Sequence, residues 1–279
     1  MYRKGDTAVE AKKEKKHSLC EKSPVLAMIL TVSLGLLSQL GSIVPGTVGH
    51  ILVAVLAIVV LVLFDKWFSP GFEGVFKPCV SLKESLIITS PMIIVTIGAV
   101  IINVISGGFS FKPSFSYLCL AVMAGCNEET AFRAMLIAIG MKYLKGNNRS
   151  RTVVIISSVI FGVIHVTNLT AGADLVMTIA QILMAICAGL VLAAIYLRTG
   201  SIIPGMIAHS IYDFISFITE STVNESGIVT AAPEGSKTII AVSVIILSAI
   251  LAFAGIFMIR KSKTDDIEKI WQKKWTVDQ

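Results

Sequence analysis

Charge is scarce in this chain: only 15% of its 279 residues are Asp, Glu, Lys or Arg, against 54% hydrophobic residues and a mean hydropathy of +0.81. Soluble domains carry about 25% charged residues, so a water-soluble globular fold is excluded and a polytopic membrane protein is expected. Paired cysteines are also missing. Cys20, Cys79, Cys119, Cys126 and Cys187 form an odd set without paired spacing, which indicates neither a disulfide framework nor a zinc ribbon. Histidine is scarce, with four in the chain. No one face collects the basic residues as a nucleic-acid site would; the net charge of +6 comes from the ends and short connections, as in a membrane protein that orients itself by positive charge. No internal repeat or low-complexity linker divides the chain.

Apolar runs can be counted against the roughly 20 residues that cross the hydrocarbon core. They fall near Val25–Val44, Val48–Phe64, Leu82–Ile105, Phe115–Tyr143, Val153–Leu169, Leu175–Leu197, Ile202–Thr219 and Ile239–Ile259. The expected fold is all-α, a membrane bundle of about eight transmembrane helices enclosing a buried polar cavity. Pro45-Gly46 reads as a tight turn, and Pro91 lies inside the third run. Residues 1–23 form a lysine-rich arm, 24–260 a single membrane domain with its motifs within 115–219, and 261–279 a basic tail. The arm lacks the short apolar core and cleavage site of a signal peptide. Both basic ends place the termini in the cytoplasm, and an even number of spans satisfies every loop except the one carrying Lys112. In the tail, Ile267, Ile270, Trp271 and Trp275 recur at helical spacing, which suits either an amphipathic helix on the inner leaflet or a frayed polar end.

Against this background Glu128, Glu129 and Arg133 stand out as three ionisable groups in one apolar run. A charge at the bilayer centre costs about 2.5–3.5 kcal/mol on insertion scales, so such groups face a protein interior and usually have a function. Glu129 and Arg133 are one helical turn apart and can pair. Glu128 then lies about 100° around the helix, free to hold a water. A buried ion pair that merely locks helices together accounts for Glu129 and Arg133 but not for Glu128. His165 follows Phe161 by one turn in a later run, and His209 precedes Asp213 by one turn in another. Singly, each has a bland reading: a lone histidine on an apolar helix is more often a packing residue, and a His/Asp pair at this spacing is weak evidence for a metal. At about 1.5 Å per residue, Glu128 and His165 lie roughly 20 Å deep and His209 roughly 10–12 Å, so a common cavity requires His209 to sit deeper than its position in the run implies.

Taken together, Glu128-Glu129-x-x-x-Arg133, Phe161-x-x-x-His165 and His209-x-x-x-Asp213 resemble the CAAX-processing and bacteriocin-processing intramembrane proteases, the CPBP or ABI family. The resemblance implies an intramembrane endopeptidase with Glu128 as general base, His165 holding the water, Glu129 and Arg133 as a supporting pair, and His209 with the residue one turn on stabilising the oxyanion. The chain departs from the family at that last position, where asparagine is common and Asp213 stands here. An ionised aspartate cannot donate a hydrogen bond, so Asp213 must be protonated, orient His209 or ligate a metal. Glu128, His165, His209 and Asp213 form a mixed oxygen and nitrogen set suitable for zinc, and both a zinc-bound and a metal-free water remain open. The expected partners are the bilayer and a peptide or membrane-associated protein substrate, with no nucleic acid, in a bacterial plasma membrane. Two other classes compete: a non-catalytic immunity or scaffold protein of the same family, and a proton-coupled transporter, against which the lack of inverted repeats counts.

Overall fold

The computed structural model describes residues 19–68, 71–220 and 237–275. Most of the expected arm, the greater part of the acidic loop after Thr219 and the end of the tail lie outside the described residues. The described chain is helical, with one isolated bridge between Phe109 and Glu220. Helix α1 spans Pro24–Leu36 and tightens into a 3-10 stretch, Leu37–Ile43; α2 spans Gly46–Leu63, α3 Leu82–Ile105 and α4 Phe115–Glu129. A π turn, Thr130–Ala134, joins α4 to α5, Met135–Tyr143. Then come α6, Arg149–Ile164, running into the 3-10 stretch His165–Ala171; α7, Leu175–Thr199; α8, Ile203–Thr219; α9, Lys237–Met258; and α10, Thr264–Lys274.

Local chemistry sets several of these ends. Ser81 and Glu84 form a reciprocal capping box at the start of α3, Asp174 accepts from the Met177 amide to start α7, and Gly200 stops α7 in the left-handed conformation at φ 69°. Gly46, at φ 68°, makes the expected turn after Pro45. Five described helices are long and apolar enough to cross a membrane, or six if the bent pair Val242–Met258 and Lys261–Lys274 is one span. The expected total of eight includes two runs outside that set: Ile203–Thr219 has 17 residues, and Phe115–Tyr143 carries Glu128, Glu129 and Arg133. Large apolar side chains of α3 (Ile93, Ile94, Ile97, Ile101) and α9 (Ile245, Ile246, Phe253) point away from the protein, as they do in an integral membrane bundle.

The motif-bearing helices occupy the middle. Helix α4 packs between α2 and α8, α5 between α1 and α6, α7 between α6 and α9, and α3 lies across α8 and α9. Lipid gives helices no hydrophobic reason to associate, so close approach through small residues matters. A Cβ on Gly125 would overlap Ser210 Oγ and come within 2.8 Å of the Met206 carbonyl oxygen, so glycine lets α4 and α8 touch beside Glu128 and Glu129.

The π turn is held from outside. Widening a helix by one residue leaves carbonyls without regular helical donors. Ser157 of α6 donates its hydroxyl to the Phe132 carbonyl at 2.7 Å, and Tyr196 of α7 donates to the Ala134 carbonyl at 3.2 Å; both side chains are buried. Ser157→Ala should therefore destabilise the protein by about 1–3 kcal/mol, the cost of an unsatisfied buried polar group. A thermal unfolding midpoint in detergent equal to that of the wild type would show that the turn does not depend on this bond.

The tail departs from both expectations for it. Helix α10 neither lies on lipid nor frays, because its apolar face is used inside the protein: Ile267 and Trp271 are each 1% exposed, and the Trp271 indole donates to the Leu197 carbonyl at 3.0 Å. Phe72 packs tilted against Trp275 with ring centres 4.5 Å apart, Lys274 is buried with its ammonium donating to the Gly74 carbonyl, and the Glu73 amide donates to the Lys274 carbonyl at 2.8 Å. These contacts cover the corner between α7 and α8. The corner also bonds to the segment before α3 through Cys79 N to Thr199 O (2.8 Å), Ile202 N to Val75 O (2.9 Å) and Ser201 Oγ to Phe76 O (2.7 Å). Helix α8 consequently begins below the protein surface. This is why counting from its first residue makes His209 look too shallow.

Candidate active site

Of the two adjacent glutamates, Glu129 is sealed and Glu128 is not: their side chains are 0% and 27% exposed. Glu129 Oε1 lies 3.1 Å from Arg133 Nη1 and 3.0 Å from His209 Nδ1. The arginine approach is an ion pair without hydrogen-bond alignment. None of the three guanidinium nitrogens, and not Glu129 Oε2, has a hydrogen-bond partner among the described residues. Arg133 is instead seated on a ring, its Cζ 3.8 Å from the centre of Phe161, so quadrupole attraction adds to the charge pair. Gly189 and Gly205 make the room: a Cβ at either would stand 3.2 Å from Arg133 Nη2 or 3.3 Å from Glu129 Oε2. The expected pairing of Glu129 with Arg133 is thus present, across a π turn rather than a regular α turn.

His209, on α8, connects the pair to the remaining residues. A carboxylate only accepts, so the Glu129 contact puts a proton on Nδ1 and turns Nε2 the other way. That nitrogen faces Glu128 Oε2 at 3.5 Å and Asp213 Oδ2 at 3.6 Å. Both distances exceed those of a direct hydrogen bond, and a gap of this size is one that a water or a substrate atom can bridge. Asp213, one turn along α8, is 18% exposed. His165 stands where α6 tightens into its 3-10 continuation. Its Nδ1 donates to the Phe161 carbonyl at 3.0 Å, which leaves Nε2 as the free nitrogen.

His165, His209, Asp213 and Phe161 line one end of a cavity of about 230 Å³ between α3, α6, α7, α8 and α9. Glu128 is not among its lining residues and adjoins it through His209. The wall beyond is mainly apolar, with Met92, Met184, Leu192 and Leu247, and includes the amides of Asn103 and Gln181. Near Asn103, the segment before α4 is fastened to the end of α8 by Ser110 N to Thr219 O (2.9 Å) and Lys112 N to Ile218 O (2.8 Å). Zinc was one expectation for Glu128, His165, His209 and Asp213, but among the described residues no three His, Cys, Asp or Glu side chains are arranged to hold a metal ion. The present geometry does not fit that group.

Sequence reasoning gave no role to several residues of this site. Asn127 is buried and accepts a hydrogen bond from Ser38, which ties α1 to the motif. Phe161 touches three of the motif side chains: besides Arg133, its ring meets those of His165 at 5.1 Å and His209 at 5.8 Å, edge to face. Its place one turn before His165 was the available signal. Gly189 and Gly205 carried none, since glycines are common in membrane helices.

Fold and site together define an integral membrane protein in which two carboxylates and an arginine on one helix meet two histidines and an aspartate on two others. Residues 110–215, from just before α4 to near the end of α8, match the family described as type II CAAX prenyl endopeptidase Rce1-like, in agreement with the resemblance of its motifs to the CPBP family. Helices α1, α2, α3, α9 and α10 lie outside the match. No curated protein and no solved structure matches the chain.

Proposed function

We propose that the protein is an intramembrane endopeptidase that hydrolyses a peptide bond with water activated by Glu128. The observation that carries this reading is the asymmetry of the two glutamates. Glu129 is sealed between Arg133 and His209, whereas Glu128 is accessible and shares the outward-facing Nε2 of His209 with Asp213. In the proposed cycle Glu128 takes a proton from a water whose other hydrogen is accepted by His165 Nε2. The oxygen attacks the scissile carbonyl, and His209, carried as the imidazolium among the carboxylates of Glu128, Glu129 and Asp213 and oriented by the Glu129 bond to Nδ1, presents its Nε2–H to the developing oxyanion. Glu128 then returns its proton to the leaving amine. Every proton moves between the substrate, the water and groups of this chain. The Rce1-like match of residues 110–215 supports a peptide substrate presented at the membrane.

The test is a comparison of peptide termini in membranes from cells expressing the wild type or His165→Ala. Fragments present only with the wild type are the expected result. Identical termini at equal protein levels would remove the endopeptidase reading and leave a scaffold role.

Asp213 makes a separate prediction. Its carboxylate stands beside the nitrogen that faces the oxyanion but is not hydrogen-bonded to it at 3.6 Å. In this scheme an acceptor-only group there opposes the developing charge, while an amide of the same shape donates to it; one such donor is worth about 10²–10³ in rate. Asp213→Asn should therefore raise the cleavage rate or leave it intact, as read in a reconstituted peptide assay. Complete loss of cleavage would show that the carboxylate itself is needed.

A further inference from the structure

Away from the candidate active site, at the end of the bundle where α10 docks, a cleft of about 880 Å³ opens between the α5–α6 connection and the start of α10. Lys142, Lys145, Arg149, Arg151 and Lys261 line it, against Asp265 and Glu268, an excess of three positive charges in one concavity. The excess stays at three when the committed pair is set aside: four cations then face Asp265, and Glu268 is held by Arg149. Arg149 Nε lies 3.0 and 2.9 Å from its two oxygens, which removes the carboxylate from play and fixes the arginine. Arg151 is steered by the Ile259 carbonyl at 3.5 Å, and Lys142 lies over the Trp275 ring at 4.2 Å. The same cleft receives the first turn of α6, whose N-cap Asn148 makes no side-chain cap, so the positive end of that helix adds to the field. Cations drawn from three separate segments and turned into one cleft beside the ends of apolar helices suit a phosphate group, and anionic lipid headgroups supply phosphate at that depth.

We infer that the cleft between the α5–α6 connection, α6 and α10 binds the phosphate of an anionic lipid headgroup. The full chain is reconstituted in phosphatidylcholine containing phosphatidylglycerol, extracted in mild detergent, and its retained lipids are counted by native mass spectrometry. Wild-type protein should retain phosphatidylglycerol selectively. Lys145→Gln with Lys261→Gln, both exposed positions outside the candidate active site, should weaken that retention by about fivefold for each cation removed. The matched control is Lys77→Gln with Lys83→Gln, which removes the same charge from exposed lysines near the start of α3 and should retain the lipid as wild type does. Equal loss in both double variants would overturn the site in favour of diffuse attraction. Equal retention of both lipids by the wild type would overturn it outright. Displacement by millimolar inorganic phosphate would assign the same cations to a soluble phosphate and overturn the lipid assignment. Unfolding midpoints of the two double variants, measured alongside, separate a lost site from a lost fold.

Discussion

Glu128→Gln should lower peptide turnover by about 10²–10⁴-fold, the contribution of a general base, with no loss of folded protein. The substitution keeps the shape of the side chain and removes only its ability to accept a proton. Among the described residues Glu128 makes no close hydrogen bond that the fold relies on, and it lies 3.5 Å from His209 Nε2. An unchanged unfolding midpoint together with abolished cleavage is the expected pair of results. A Glu128→Gln protein as active as the wild type would remove the residue from the reaction and with it the main division of labour proposed for the site.

Arg133→Leu should produce the opposite pattern, a protein that is first unstable and only then inactive. Both partners of this pair are 0% exposed, and removing one member of a buried pair leaves an uncompensated charge at a cost of about 3–5 kcal/mol. Adding Glu129→Gln to Arg133→Leu removes that stranded charge and should recover a large part of the stability. Cleavage should stay low in the double variant, because His209 would then be oriented by a neutral amide. A destabilisation in the double variant equal to that of Arg133→Leu alone would show that Arg133 acts through Phe161 and packing, and not through Glu129.

The helical membrane fold was legible because lipid imposes a simple rule: a helix that crosses it is a long apolar run, and the runs in the sequence fall on α1 through α9 within a few residues. The pairing of Glu129 with Arg133 was legible from spacing. The π turn between them was not, since Thr130 to Ala134 have nothing unusual in their side chains and the turn is held by Ser157 and Tyr196 from helices far along the chain. The contact between His209 and Glu129 was hidden for the same kind of reason. A depth count assumes that each helix starts at a surface, and α8 starts at a buried corner. The fate of the tail could not be read from periodicity, because Ile267 and Trp271 would recur at the same spacing whether they met lipid or the underside of α7.

That buried corner also has a consequence in time. The position of His209 depends on α8, the start of α8 depends on the corner from Thr199 to Ile202, and the corner is covered by α10, whose Lys274 reaches back to Gly74 across 200 residues of sequence. Glu128, Glu129, Arg133, His165 and His209 are all synthesised well before Lys274. A ribosome that has inserted every one of these helices has therefore still not fixed the corner from which α8 starts, which is covered only when the last described helical turn folds back over it.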